Sequence, residues 1–327
     1  MITNAKISGI HHITAIASSA SENLAFYENV LCLRLVKKTV NFDDPYTYHL
    51  YYGDSDGAPG TIITFFPWEN LPRGKTGAGM VTAIAFSIPM GSVDYWRKRL
   101  SVDGIETNEG ERFGKRVIRF KDPHGLSLEL IETPTGPLTL SQSLNSKSAA
   151  NRIVGFHSAT ALLRSLEETQ SLLVNLMGMK FHDKEGNRYR FKMKRNDAFG
   201  HFYDVVIDPQ AENGLQGGGT VHHIAFRTPT DEEQKYWQKS LVESGYAVTP
   251  IRDRKYFKSI YFHEPGDVLF EIATDPPGFT VDEPYGRLGR DLKLPDQFEP
   301  MRIEIENRLP TLQPSRERNV DLLYNVN

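Results

Sequence analysis

Two histidine doublets, His11-His12 and His222-His223, and a late glutamate, Glu271, are the residues of this chain best suited to chemistry. Imidazole nitrogens and carboxylates are ordinary donors to a divalent transition metal. Each doublet sits in an alternating apolar string, Gly9-Ile10-His11-His12-Ile13-Thr14-Ala15-Ile16 and Thr220-Val221-His222-His223-Ile224-Ala225-Phe226, that predicts a strand. Successive strand residues point to opposite faces, so only one histidine of each doublet can face a metal. The plainer account is a buried histidine satisfied by backbone carbonyls. The other histidines (His49, His124, His157, His182, His201 and His263) show no spacing that marks ligands. Gly217-Gly218-Gly219 leads into a strand, not a helix, so it is no phosphate-cradling loop.

The elements that position these residues come from a chain of 327 residues, long enough for two domains with real cores. A net charge of −3 gives no electrostatic reason to expect nucleic acid or an anionic membrane as partner. The lone cysteine, Cys32, excludes both an intramolecular disulfide and a cysteine-based metal site. No apolar core of signal-peptide length opens the sequence, and runs such as Thr61–Trp68 are strand-sized. We therefore expect a cytoplasmic protein with no membrane span.

The sequence repeats itself. Lys6–His12 aligns with Arg152–Ser158, Val81–Phe86 with Val221–Phe226, and Glu129 with Glu271. Ser19-x-x-Glu22 recurs as Ser165-x-x-Glu168, a capping box in both copies. Each copy divides again, giving an α+β chain of four βαβββ modules at about 6–68, 78–132, 150–208 and 218–273. Residues 1–132 and 150–275 are then two halves, 133–149 a linker, and 276–327 a C-terminal arm with one helix near Asp296–Leu309. Arg188-x-Arg190-x-Lys192-x-Lys194 reads as the solvated face of a strand.

Four such modules, with GIHHITAI, TVHHIAF and EPGDVLFEI at these places, resemble the vicinal oxygen chelate superfamily of glyoxalases, extradiol dioxygenases and bleomycin-resistance proteins. The resemblance covers residues 6–275 and is nearest to the branch that cleaves hydroquinone rings. It implies that two modules curl into a cup around one metal, with ligands from the first strand of each and from a last strand. The family pattern favours the second histidine of each doublet. The corresponding positions in the first half hold His12, Ala83 and Glu129, and in the second Ser158, His223 and Glu271. Neither half has a full set. Pairing the first module with the fourth unites His12, His223 and Glu271, and leaves the second and third without a site. One metal per chain follows, and the halves must interlock.

Two histidines and a carboxylate leave three positions of an octahedral ion open, the facial arrangement of iron(II) oxygenases. Iron(II) is the expected metal, and manganese(II) would suit the same ligands. The resemblance also implies catalytic roles for Tyr261 and Arg254; His11 and His222, beside the ligands, are expected to orient substrate or shuttle protons, and Thr14, two residues past His12 on the same strand face, to touch substrate. The expected reaction is extradiol-type cleavage of a hydroquinone or catechol with O2. The alternatives are a glyoxalase-like metal-dependent lyase or isomerase, which wants a fourth protein ligand, and a binding protein without turnover. Self-association into a homo-oligomer is left open.

Overall fold

The computed structural model describes residues 5–134, 150–194 and 200–312. Most of the expected linker lies outside them, as do residues 313–327 of the arm.

Sixteen strands form two curled sheets of eight. The first module contributes β1 (Ile10–Ala17), β2 (Arg34–Val40), β3 (Tyr48–Gly53) and β4 (Ile62–Pro67). The second contributes β5 (Met80–Pro89), β6 (Asn108–Arg112), β7 (Lys115–Lys121) and β8 (Ser127–Thr133). The third supplies β9 (Gly155–Leu163), β10 (Lys180–Glu185), β11 (Arg188–Lys192) and β12 (Phe202–Ile207). The fourth supplies β13 (Val221–Thr228), β14 (Arg252–Asp253), β15 (Lys258–His263) and β16 (Leu269–Thr274). One sheet runs β14-β15-β16-β13-β1-β4-β3-β2 and the other β10-β11-β12-β9-β5-β8-β7-β6. The first module therefore pairs with the fourth, and the second with the third. Each cup closes across an antiparallel seam of two first strands, β1 with β13 and β5 with β9.

Within each module the first strand lies parallel to the last, which needs a crossover, and a helix supplies it. Ala20–Ala25 is capped by the Ser19 hydroxyl and runs on into a π-helical turn, Phe26–Val30. In the third module the equivalent helix, Glu167–Ser171, has Leu166 at its N-cap and no side-chain cap, so the second expected capping box does not form. β1 is buried along its whole length and the other first strands along most of theirs, because helices cover one face and the cup the other.

The first strands carry β-bulges. Between β1 and β13 the register slips between Ile10 and His12 and between Thr14 and Ala15, leaving His11 and His222 as the extra residues. Between β5 and β9 the same slips fall at Thr82 and His157. A bulge re-aims its side chain and bends the strand. The doublets therefore do not obey strict alternation.

The second cup is filled by charge pairs. Arg112 grips Glu129 with both terminal nitrogens, and Arg190 grips Asp204 through Nε and Nη2 at 2.8 Å each. Arg188 reaches the same aspartate at 3.2 Å. Arg190 and Asp204 are buried. Arg188 and Arg190 thus face the cup's interior, a correction to the solvated face expected from sequence, while Lys194, just past β11, is exposed: period two identifies a face, not what covers it.

His157, buried in that cup, bonds Ser158 Oγ through Nδ1 at 3.0 Å. Burial, reinforced by the positive charges of Arg190 and Lys115, holds its pKa well below the usual histidine value. It stays neutral when folded but takes up a proton when unfolded below about pH 6.5, so its contribution is intact above that pH and lost as pH falls. In metal-free protein, His157→Gln should make the decline of unfolding free energy between pH 6.5 and 5 shallower, by a difference in slope that grows toward at most about 1.4 kcal/mol per pH unit at the acid end. Urea titrations across that range check it; an unchanged slope refutes it.

The C-terminal arm packs behind the first cup. Phe279 meets the rings of Tyr51 and Tyr256, each at 5.1 Å. Lys37, fully buried on β2, is neutralised by Asp282 at 2.6 Å and by Glu283. The expected arm helix begins as a 3-10 turn, Asp296–Met301, before Arg302–Arg308.

Candidate metal centre

Pairing the first module with the fourth places two pseudo-equivalent first-strand positions face to face. His12 Nε2 lies 3.4 Å from His223 Nε2. Glu271 Oε2 lies 2.8 Å from His223 Nε2 and 3.3 Å from His12 Nε2. Ligand bonds of about 2.1 Å at right angles put donor atoms about 3 Å apart, so this triangle fits one ion on an octahedral face. Among the described residues, these three form the group of histidine, cysteine and acidic side chains able to hold a metal.

Glu271 is fully buried, and its Oε2 satisfies hydrogen-bond geometry to nothing. Its Oε1 accepts from the Ser259 hydroxyl, which turns Oε2 toward the imidazoles. Burial works against its charge, but the two histidines outweigh it and hold the carboxyl well below the usual carboxylate range. A buried anion that converges on two imidazoles without directed hydrogen bonds suits a cation between them.

Because of the bulges, His11 and His222 turn back to their neighbours. His11 Nδ1 is 2.9 Å from His12 Nδ1, and His222 Nδ1 is 2.8 Å from His223 Nδ1. Each contact needs one proton. Placing it on His12 and His223 leaves both Nε2 atoms bare for a metal, with His11 and His222 as acceptors. This is the support that metal-ligating histidines generally receive through their far nitrogen. Burial first, then the neighbouring His223, pushes His222 down to about 3, so it is neutral at physiological pH. Phe257 packs its ring against His11 at 5.0 Å and His12 at 4.9 Å.

A cavity of about 390 Å3 opens beside the triad. Phe42, Phe66, Trp68 and Phe257 give it aromatic walls, and Arg252, Arg254 and Asp43 lie along it too. Tyr261, on β15 in register with Glu271, sets its ring edge-on to His223 at 5.7 Å. Arg254 Nε reaches the Tyr261 Oη at 3.4 Å. Burial, then the charge of Glu271, raises the Tyr261 pKa, with Arg254 partly opposing, so the phenol keeps its proton. A larger groove of about 1060 Å3, bordered by Asn29, Thr107 and Lys121, contains no histidine, and volume alone does not locate the chemistry.

Thr14 does not line the cavity. It is fully buried, and its Oγ1 lies 2.9 Å from Thr64 Oγ1. Thr64 faces Thr14 across β1 and β4 as Glu271 faces Ala225 across β13 and β16, so a threonine occupies the place of a fourth carboxylate ligand. Glu69, the first carboxylate beyond that strand, instead accepts from the Ala20 backbone N–H at 2.7 Å.

Sequence reasoning missed His49, Ser259 and Tyr51. His49 is buried, lines the cavity, and bonds Thr64 Oγ1 at 2.8 Å through Nε2 and Tyr51 Oη at 2.9 Å through Nδ1. It stands in the first module where Ser259 stands in the fourth, two residues before a tyrosine in register with position 64 or 271. The internal repeat carried that signal.

Comparison with known proteins agrees with this architecture. The profile of the Glyoxalase/Bleomycin resistance protein/Dioxygenase superfamily matches residues 9–130 and 155–282. A Bacillus subtilis protein named "Putative ring-cleaving dioxygenase MhqO" is 46% identical over 93% of this chain and 96% of its own length. The chlorohydroquinone/hydroquinone 1,2-dioxygenase of Sphingobium indicum is 36% identical over 92% of this chain and 95% of its own. The crystal structure of a "putative dioxygenase" from Bacillus subtilis superposes with a TM-score of 0.91 at 45% identity, covering 96% of this chain and 100% of that one. Maize glyoxalase I, at 12% identity and a TM-score of 0.62 over 82% of this chain and 92% of that one, shares the fold. With its four modules, its two cups and these relatives, this chain belongs to the glyoxalase/bleomycin resistance/dioxygenase superfamily and, within it, to the ring-cleaving dioxygenases.

Proposed function

We propose that this ring-cleaving dioxygenase holds one iron(II) through His12, His223 and Glu271 and opens a hydroquinone or catechol ring with O2. The observation that carries the reading is Thr64. A glyoxalase-like lyase or isomerase would call for a carboxylate there, whereas threonine leaves one side of the ion free for exogenous ligands. Manganese(II) fits the same donors.

When bound, iron(II) supplies a place where a phenolate oxygen and dioxygen meet, and a path for electrons between them. The protein does the rest. Aromatic walls bind the ring by stacking and edge contacts. Arg254 sets a fixed positive charge against the anionic oxygens that develop. Tyr261, kept protonated by burial, donates its O–H to a substrate oxygen. His222, with Nδ1 engaged by His223, has its Nε2–H for the same cavity, while His11 holds His12 from behind.

Oxygen uptake with a panel of diphenols, after anaerobic loading with ferrous iron, tests the proposal. Turnover with a diphenol supports it, and none with any diphenol overturns it. Tyr261→Phe should keep full iron content and near-native substrate KM while kcat falls about 100-fold, the usual scale for a lost acid–base group. Unchanged kcat would remove Tyr261 from the mechanism.

A further inference from the structure

A second, smaller cavity of about 230 Å3 is lined by the same two residues, His222 and His223, and by a largely different set of others. Its walls include Met80, Val81, Val221 and Val268, and Leu269 and His222 border both it and the main cavity. Gln216, His263 and Asp267 line it as well, and all three are exposed. The main cavity has two arginines, Arg252 and Arg254, with Asp43 on its lining, whereas Asp267 is the one acidic group on the smaller one and is exposed.

Two reactants of different size and polarity must reach one ion. A diphenol, polar at its hydroxyls and broad in its ring, suits the wide charged cavity. Once seated there, it stands between that opening and the triad. A smaller cavity whose buried walls are mainly the apolar Met80, Val81, Val221 and Val268 suits a small apolar gas better than a diphenol ring. We propose that dioxygen reaches the site through this second cavity, past Leu269 and His222, while the aromatic substrate fills the first. The assignment rests on the dioxygenase reading above.

The test narrows the outer end without touching the candidate metal residues. Gln216→Trp and His263→Trp replace exposed side chains and leave the core intact. In the iron-loaded enzyme, both together should raise the KM for O2 about fivefold or more, with diphenol KM and kcat at saturating O2 within about twofold. A second readout does not depend on turnover. Nitric oxide, an apolar stand-in for dioxygen, should combine with ferrous iron more slowly in the variant when the diphenol is already bound. It should combine at the wild-type rate when the diphenol is absent, because the main cavity is then open. Unchanged KM for O2 and unchanged nitric oxide rates in the diphenol-bound variant would overturn the passage while leaving the dioxygenase reading standing. Absence of O2 uptake in the wild type with every diphenol would instead sink that reading.

Discussion

Alanine in place of His223 should abolish metal uptake and ring cleavage together, with the fold intact. The imidazole supplies one of three donors, and its neighbours, His12 Nε2 at 3.4 Å and Glu271 Oε2 at 2.8 Å, have no other way to hold an ion firmly. Loss of groups that merely support metal ligands costs about 10–100-fold in affinity or activity, so loss of a direct ligand should exceed 100-fold in both. The wild type should carry about one metal per chain, because the second cup has Ala83 and Ser158 at the matching positions and its Glu129 is held by Arg112. Metal analysis of the purified variant, with circular dichroism to confirm folding, checks this. A binding protein without turnover predicts something different: diphenol affinity unchanged and no metal to lose. Retained metal at the wild-type level in the variant would remove His223 from the site.

Cutting the chain inside residues 133–149 should leave two fragments that bind no metal alone and recover it together. The amino-terminal fragment would keep His12 but not His223 or Glu271, and the carboxy-terminal fragment the reverse. The loss extends beyond ligands. Each seam, β1 with β13 and β5 with β9, joins strands from different halves, so each fragment would expose two central edges built of buried residues such as Ile13, Ile84, Ile224 and Phe156. Separate fragments should therefore aggregate and hold less than about 0.1 metal each, whereas co-expression restores about one per pair. A soluble fragment that binds metal stoichiometrically by itself would contradict this.

The fold was legible because one chain carries four versions of a plan. The gaps in it, Ala83 and Ser158 where ligands would stand, already demanded that the first module meet the fourth, and the strand order bears that out. Other features were hidden for physical reasons. Alternation predicted that His11 and His222 point away from the metal, but bulges rotate both back to bond the candidate ligands through Nδ1. No residue pattern in the doublets announces a bulge. Arg188 and Arg190 looked solvated because single-strand periodicity cannot reveal that Asp204 waits on the next strand. His49 lies far from the ligands in sequence and shows no ligand spacing. Only its correspondence with Ser259 gave it away. Thr14 was expected near substrate, and the hydroxyl of Thr64, invisible as a partner in sequence, takes it instead.

The most direct test is anomalous X-ray scattering at the iron absorption edge, from crystals of protein loaded anaerobically with ferrous iron. One strong peak per chain is expected within bonding distance of His12 Nε2, His223 Nε2 and Glu271 Oε2, and none in the second cup. A peak beside Glu129 and Asp204 instead, or none near residue 271, would contradict it.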